Sequence, residues 1–166
     1  AISMKLKNIA LGSIWDPFAV KLCHKAGENR EINLNFGSKI MKGSGGSIHK
    51  KVFIKKIKKN VYQKFGSSLV PMGDSACITF DGIEVVLNSN RCQTFSTDLF
   101  SKLGINISKK NIIIVKSTNH FYKSFKPYVS EIIYASIDGI YPNNPKKNKY
   151  FKLKRKIWPI YSNPHL

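Results

Sequence analysis

The sequence predicts an α/β fold: a single domain with a mixed β-sheet flanked by helices and an antiparallel hairpin section. Three observations predict it. The chain opens on a strand-then-helix pattern over residues 9–26, two apolar runs flank the hairpin signal Asp81-Gly82, and four consecutive β-branched residues, Ile112–Val115, precede a helical stretch. The 166 residues fit one domain spanning 1–166, and an apolar fraction of 42% is enough to build a core.

Ile9–Trp15 reads as a short buried strand. Asp16-Pro17 supplies an N-cap followed by proline at the first helical position, so a helix over Phe18–Ala26 follows, stopped by Gly27. Glu31–Phe36 alternates apolar and polar residues as a half-buried strand does, and Gly43–Ser47 is a glycine-rich turn. Lys50–Val61 fits either a basic amphipathic helix or a strand; the β-branched and aromatic Val52-Phe53-Ile54 after a glycine turn favours the strand. Ala76–Phe80 and Ile83–Leu87 form a tight hairpin about Asp81-Gly82. Thr97–Leu103 is a short helix ended by Gly104. Ile112–Val115 is expected to be a central strand covered on both faces, followed by helical His120–Tyr128 and a further strand, Glu131–Ile137.

The net charge of +19 invites a nucleic-acid reading, but 25 of the 28 basic residues are Lys and three are Arg. Arg supplies the planar fork suited to phosphate and guanine. A lysine excess that accompanies 21 Ile and 14 Asn looks like a chain-wide compositional drift, and it argues against a nucleic-acid partner. A Lys-rich polyanion-binding module is therefore the alternative and not the leading function. Apolar runs no longer than Ile112–Val115 are far too short for a membrane helix, so no membrane association is expected. Three cysteines without a CxxC pair, and no leader pattern in the first residues, fit reduced thiols in a cytoplasmic protein.

No HExxH, HxxEH or His-x-His motif is present, and the four histidines are scattered, so no metal ligand set is legible. There is no GxSxG elbow, and Gly43–Gly46 lacks the ending of a phosphate loop. The one constellation with chemical promise is Lys116–Phe121, where an apolar strand gives way to a helix. Ligands of open α/β sheets bind outside strand carboxyl ends, beside helix N-termini. Lys116 brings charge, Ser117 a hydroxyl and His120 a group that titrates near neutrality. Polar clusters at Ser13–Asp16 and Asn88–Arg91 end two other strands, and would share an edge with it if the strands are neighbours. A stand-alone small-molecule site built on Lys116–Phe121 is a further alternative.

Five stretches in order resemble the C-terminal domain of the MlrC family: Gly12–Gly27, Asp81–Arg91 (DGIEVVLNSNR), Thr97–Ile105 (TDLFSKLGI), Val115–Phe121 (VKSTNHF) and Tyr150–Pro159 (YFKLKRKIWP). Where the family pattern places arginines, this chain has Lys152, Lys154 and Lys156, and Asn88 stands for a threonine. The resemblance implies the C-terminal accessory domain of a zinc-dependent peptidase or hydrolase whose metal ligands lie in an N-terminal domain. It implies no cofactor in this chain and no catalytic activity for this domain alone. Its partners would be that N-terminal domain and a peptide-like or small-molecule substrate. Lys116, Ser117 and His120, with Arg91 and Asp16 in second rank, are then the expected substrate contacts. Lys116 or Arg91 would hold a substrate carboxylate, and His120 a developing oxyanion.

Overall fold

A computed structural model describes residues 2–39, 45–135, 146 and 150–163. The chain divides into two compact units, Ala1–Ile132 and Ile133–Leu166. Among the described residues the first holds six strands and three α-helices: β1 (Ile9–Trp15), α1 (Pro17–Ala26), β2 (Arg30–Phe36), β3 (Ile48–Phe65), β4 (Ser68–Phe80), β5 (Ile83–Asn88), α2 (Asp98–Ser101), β6 (Ile112–Val115) and α3 (Tyr122–Phe125). A 3-10 turn precedes β6 and another follows α3. In the second unit the described residues form no helix or strand longer than turns.

The sheet is mixed and open, in the order β2-β3-β4-β5-β1-β6. β2 to β5 are antiparallel, while β1 runs parallel to both β5 and β6. The expected α/β class with a mixed sheet and an antiparallel section is therefore what the chain forms. Its first helix follows from local signals. The Asp16 carboxylate accepts from Ala19 N at 2.9 Å, Pro17 opens the helix, and Gly27, at φ 87°, donates to Cys23 O where an L side chain would be strained.

Two apolar layers enclose the sheet. On one face α1 lays Ala19, Val20 and Cys23 on Ile9, Leu34, Ile54, Val85 and Leu87. On the other, Leu99, Phe100, Leu103 and Phe125 cover Ala10, Cys77 and Val86. Gly12 is required on that second face: a Cβ there would lie 2.7 Å from Leu99 Cδ2 and 3.3 Å from Val86 Cβ.

Three expectations are corrected. Ile112–Val115 is an edge strand, with Ile112 39% and Ile114 40% exposed, so it is neither central nor covered on both faces. Residues 131–135 form no strand, and residues 136–137 of the expected Glu131–Ile137 strand lie outside the described residues. The helix expected over His120–Tyr128 is one α-turn at Tyr122–Phe125 and a 3-10 turn at Lys126–Tyr128, since Pro127 removes a backbone donor. Residues 43 and 44 of the glycine turn are likewise outside the described residues.

The hairpin is much longer than Lys50–Val61 and Ala76–Phe80 suggested. Pro71 and Gly73 speak against a strand, yet β4 pairs with β5 only over Ser75–Phe80, so at Pro71 one side of β4 is an open edge where a missing N–H breaks no ladder bond. The distal halves of β3 and β4 thus overhang the carboxyl end of β5.

Glu84 on β5 anchors the charge on this sheet. It is 9% exposed and sits between Lys55 Nζ at 2.5 Å and Lys110 Nζ at 2.7 Å. Burial raises its pKa, but hydrogen bonds from Lys110 and then Lys55 outweigh burial and hold the carboxyl below its ordinary value. A depressed folded pKa means stability that is present above the unfolded value and lost as pH falls through the folded one. Glu84→Gln should cost about 1–2 kcal/mol at pH 7 and progressively less as pH falls below the ordinary carboxyl range. Urea midpoints of both proteins from pH 7 to pH 3 check this; parallel curves would refute it.

Candidate functional site

Because β1 lies between β5 and β6 and runs parallel to both, the carboxyl ends of all three open on one edge. Trp15 and Asn88 are in register there, as are Gly12 and Val115. The polar clusters at Ser13–Asp16, Asn88–Arg91 and Lys116–His120 therefore share that edge, which sequence could state only conditionally.

Residues 89–96 knit the three ends together. Trp15 Nε1 donates to Ser89 O at 3.0 Å, and the Arg91 guanidinium lies over the Trp15 ring, 6.0 Å from its centroid. Ser13 Oγ donates to Cys92 O and Thr94 Oγ1 to Gly12 O, each at 3.0 Å. Thr94 N donates to Lys116 O at 3.2 Å, and Ser117 Oγ to Gln93 Oε1 at 3.4 Å. Asn88 is buried; its Nδ2 donates to Asn90 O and to Cys92 Sγ, while its Oδ1 has no partner among the described residues.

Lys116 and Arg91 are close enough to repel. Partial burial holds the Lys116 ammonium below the usual lysine value; Cys92 acts against that shift and Arg91 adds to it, although the residue as a whole keeps exposed surface. Among the described residues the ion pairs engage Asp16, Glu28, Glu31, Asp81, Glu84 and Asp98, and none of them involves Lys116 or Arg91.

His120 is exposed and packs against two rings, Phe65 at 4.9 Å and Phe95 at 5.7 Å between centroids. Phe65 comes from the overhanging tip of β3. The residue that brings these rings together escaped the sequence reading: Gln63, wholly buried on β3, donates to Gln93 O at 2.7 Å and accepts from Phe95 N at 2.9 Å and Ser96 N at 3.4 Å. The signal was present, because Val61, Gln63 and Phe65 share one face of a strand.

Asp16 is 1% exposed, and its two oxygens are taken by Ala19 N, Gly37 N and Lys39 Nζ, all at 2.9 Å. Both of its oxygens are thus engaged within the chain. The anion-accepting helix N-terminus expected after Lys116 is also absent: α3 is a single turn that begins beyond His120.

None of the thiols is poised as a nucleophile. All three are free, and burial pushes Cys23 and Cys77 up to about 12 and raises Cys92 as well. Among the described residues no three His, Cys, Asp or Glu come together as a metal ligand set. No described helix is long and apolar enough to cross a membrane.

An open mixed sheet with polar loops gathered at the ends of its parallel strands defines an α/β domain. The family model described as MlrC C-terminus matches residues 1–152, and the chain belongs to that family. Microcystinase C from Sphingomonas sp. is 29% identical over 150 residues, covering 90% of this chain and 29% of that protein. The crystal structure named "Putative metallopeptidase" from Mesorhizobium sp. BNC1 shares the fold, with a TM-score of 0.76 and 18% identity over 93% of this chain and 31% of that one. The chain thus spans less than a third of either relative's length.

Proposed function

We propose that the chain serves as the C-terminal part of a longer MlrC-type hydrolase, where the edge at β1, β5 and β6 forms one wall of the substrate cleft. One observation carries this reading: Lys116, at the end of β6, and Arg91, just after β5, stand on the shared edge, and no described ion pair involves either. Like charges held together cost free energy unless a ligand anion joins them. A substrate carboxylate fits that need, with Ser117 at hand as a hydrogen-bond partner. His120, between its two rings, is placed to donate to an oxyanion formed as a peptide bond is cleaved. The metal and the attacking water belong to the remainder of the polypeptide, and the 166-residue chain alone is inactive.

The test uses the full-length protein. Lys116→Ala and Arg91→Ala should each raise KM for a carboxylate-bearing peptide about tenfold, while a neutral analogue is cleaved as before. Unchanged KM in both variants removes the edge from substrate binding.

A further inference from the structure

β6 holds a conflict between its residues and its surroundings. A run of four β-branched residues is what a strand between two packed layers uses. Ile113 and Val115 meet that expectation, packing against the layer that contains Leu99 and Phe100. Ile112 and Ile114 do not: they are 39% and 40% exposed. By the parallel register they share a face with Ile9 and Leu11, and this is the face that carries α1. α1, however, lies against β2, β3, β4 and β5. The layer stops short, and Leu11, Ile112 and Ile114 form an apolar shelf at the end of the sheet. Among the described residues no further strand pairs with the outer edge of β6, and no charge, proline or bulge within Ile112–Val115 protects it.

We infer that a helix from the polypeptide preceding this region in the longer protein covers that shelf, completing the layer that α1 begins. The inference rests on the proposal that the chain works as the C-terminal part of such a protein. Three arguments select this occupant. The matched family is a C-terminus and the chain spans 29% and 31% of two relatives, so most of their length is available to supply it. The uncovered surface is a sheet face, which a helix fits, whereas a strand added to the edge would leave Ile112 and Ile114 bare. Three side chains fall well short of the roughly 800 Å² per partner of a stable dimer, but a covalently tethered helix at millimolar effective concentration needs no such area.

The test compares Ile114→Lys in two contexts. In the 166-residue chain the site is exposed, and the thermal midpoint should move by no more than about 2 °C. In the full-length protein the charge is forced under the helix, and limited proteolysis should separate the two parts about tenfold faster than in the unsubstituted protein. Equal, small effects in both contexts overturn the inference. A large effect already in the short chain assigns the cover to this chain's own residues. Self-association of the short chain that the substitution abolishes assigns it to a second copy. Either result also overturns the inference, as does a gene encoding no preceding region. Because the readout is domain association and not KM, its failure is distinct from failure of the Lys116 and Arg91 test.

Discussion

Asp16→Ala should lower the stability of the 166-residue chain by about 2–4 kcal/mol, because one carboxylate closes three contacts at once. Loss of the N-cap to Ala19 N costs about 1–2 kcal/mol. The Gly37 N–H loses its acceptor, another 1–2 kcal/mol or so for a part-buried donor. Lys39, with a quarter of its side chain exposed, can rehydrate and adds less. For a chain of this size the thermal midpoint falls by roughly 10 °C. Asp16→Asn keeps the cap acceptor, but either turns an amide N–H toward the Gly37 donor and the Lys39 ammonium or gives up the cap to avoid that, so it should recover about half. Asp16→Ser restores only the cap and should do likewise. Urea unfolding of the three variants orders them. A KM change in the full-length protein with unaltered stability would instead place the carboxylate on the substrate.

Asp16 also shows how far sequence reached and where it stopped. Its capping role was legible because Asp-Pro before an apolar helix is a local signal. Its engagement with Gly37 and Lys39 was not, since those contacts close only when β2 returns beside α1. The hairpin at Asp81-Gly82 and the opening strand and helix are local features of the same kind, and they form as expected. Ile112–Val115 failed for the opposite reason: composition reports that a strand is apolar on both faces, but not whether the cover for one face lies within the chain. The convergence of three strand ends depended on strand order, which no local pattern encodes. Lys116, Arg91, Ser117 and His120 were found as isolated polar residues at strand ends. Their shared edge follows from β1 running parallel between β5 and β6.

Gln63→Leu should have the largest effect of any single change at the edge, about 3–5 kcal/mol. Leucine fills nearly the same volume, so the loss comes from polar groups. Phe95 N and Ser96 N would lose their acceptor and Gln93 O its donor, at about 1–3 kcal/mol for each group that stays buried. The consequence is positional as well as energetic. Phe65 stands two residues from Gln63 on β3, and Phe95 is tethered by it, so both rings against His120 depend on one amide. Thr94, whose Oγ1 donates to Gly12 O and whose N–H donates to Lys116 O, lies in the same tethered loop. Gln63→Glu keeps an acceptor for both N–H groups; protonated at low pH it can also donate to Gln93 O, whereas ionised it buries a charge against that carbonyl. At low pH it should retain more than half of the lost stability and the His120 environment, read by the imidazole NMR signals, and at neutral pH it should retain less. If Gln63→Leu leaves those signals and the unfolding midpoint unchanged, the overhanging hairpin does not organise the edge, and His120 is held by its own turn alone.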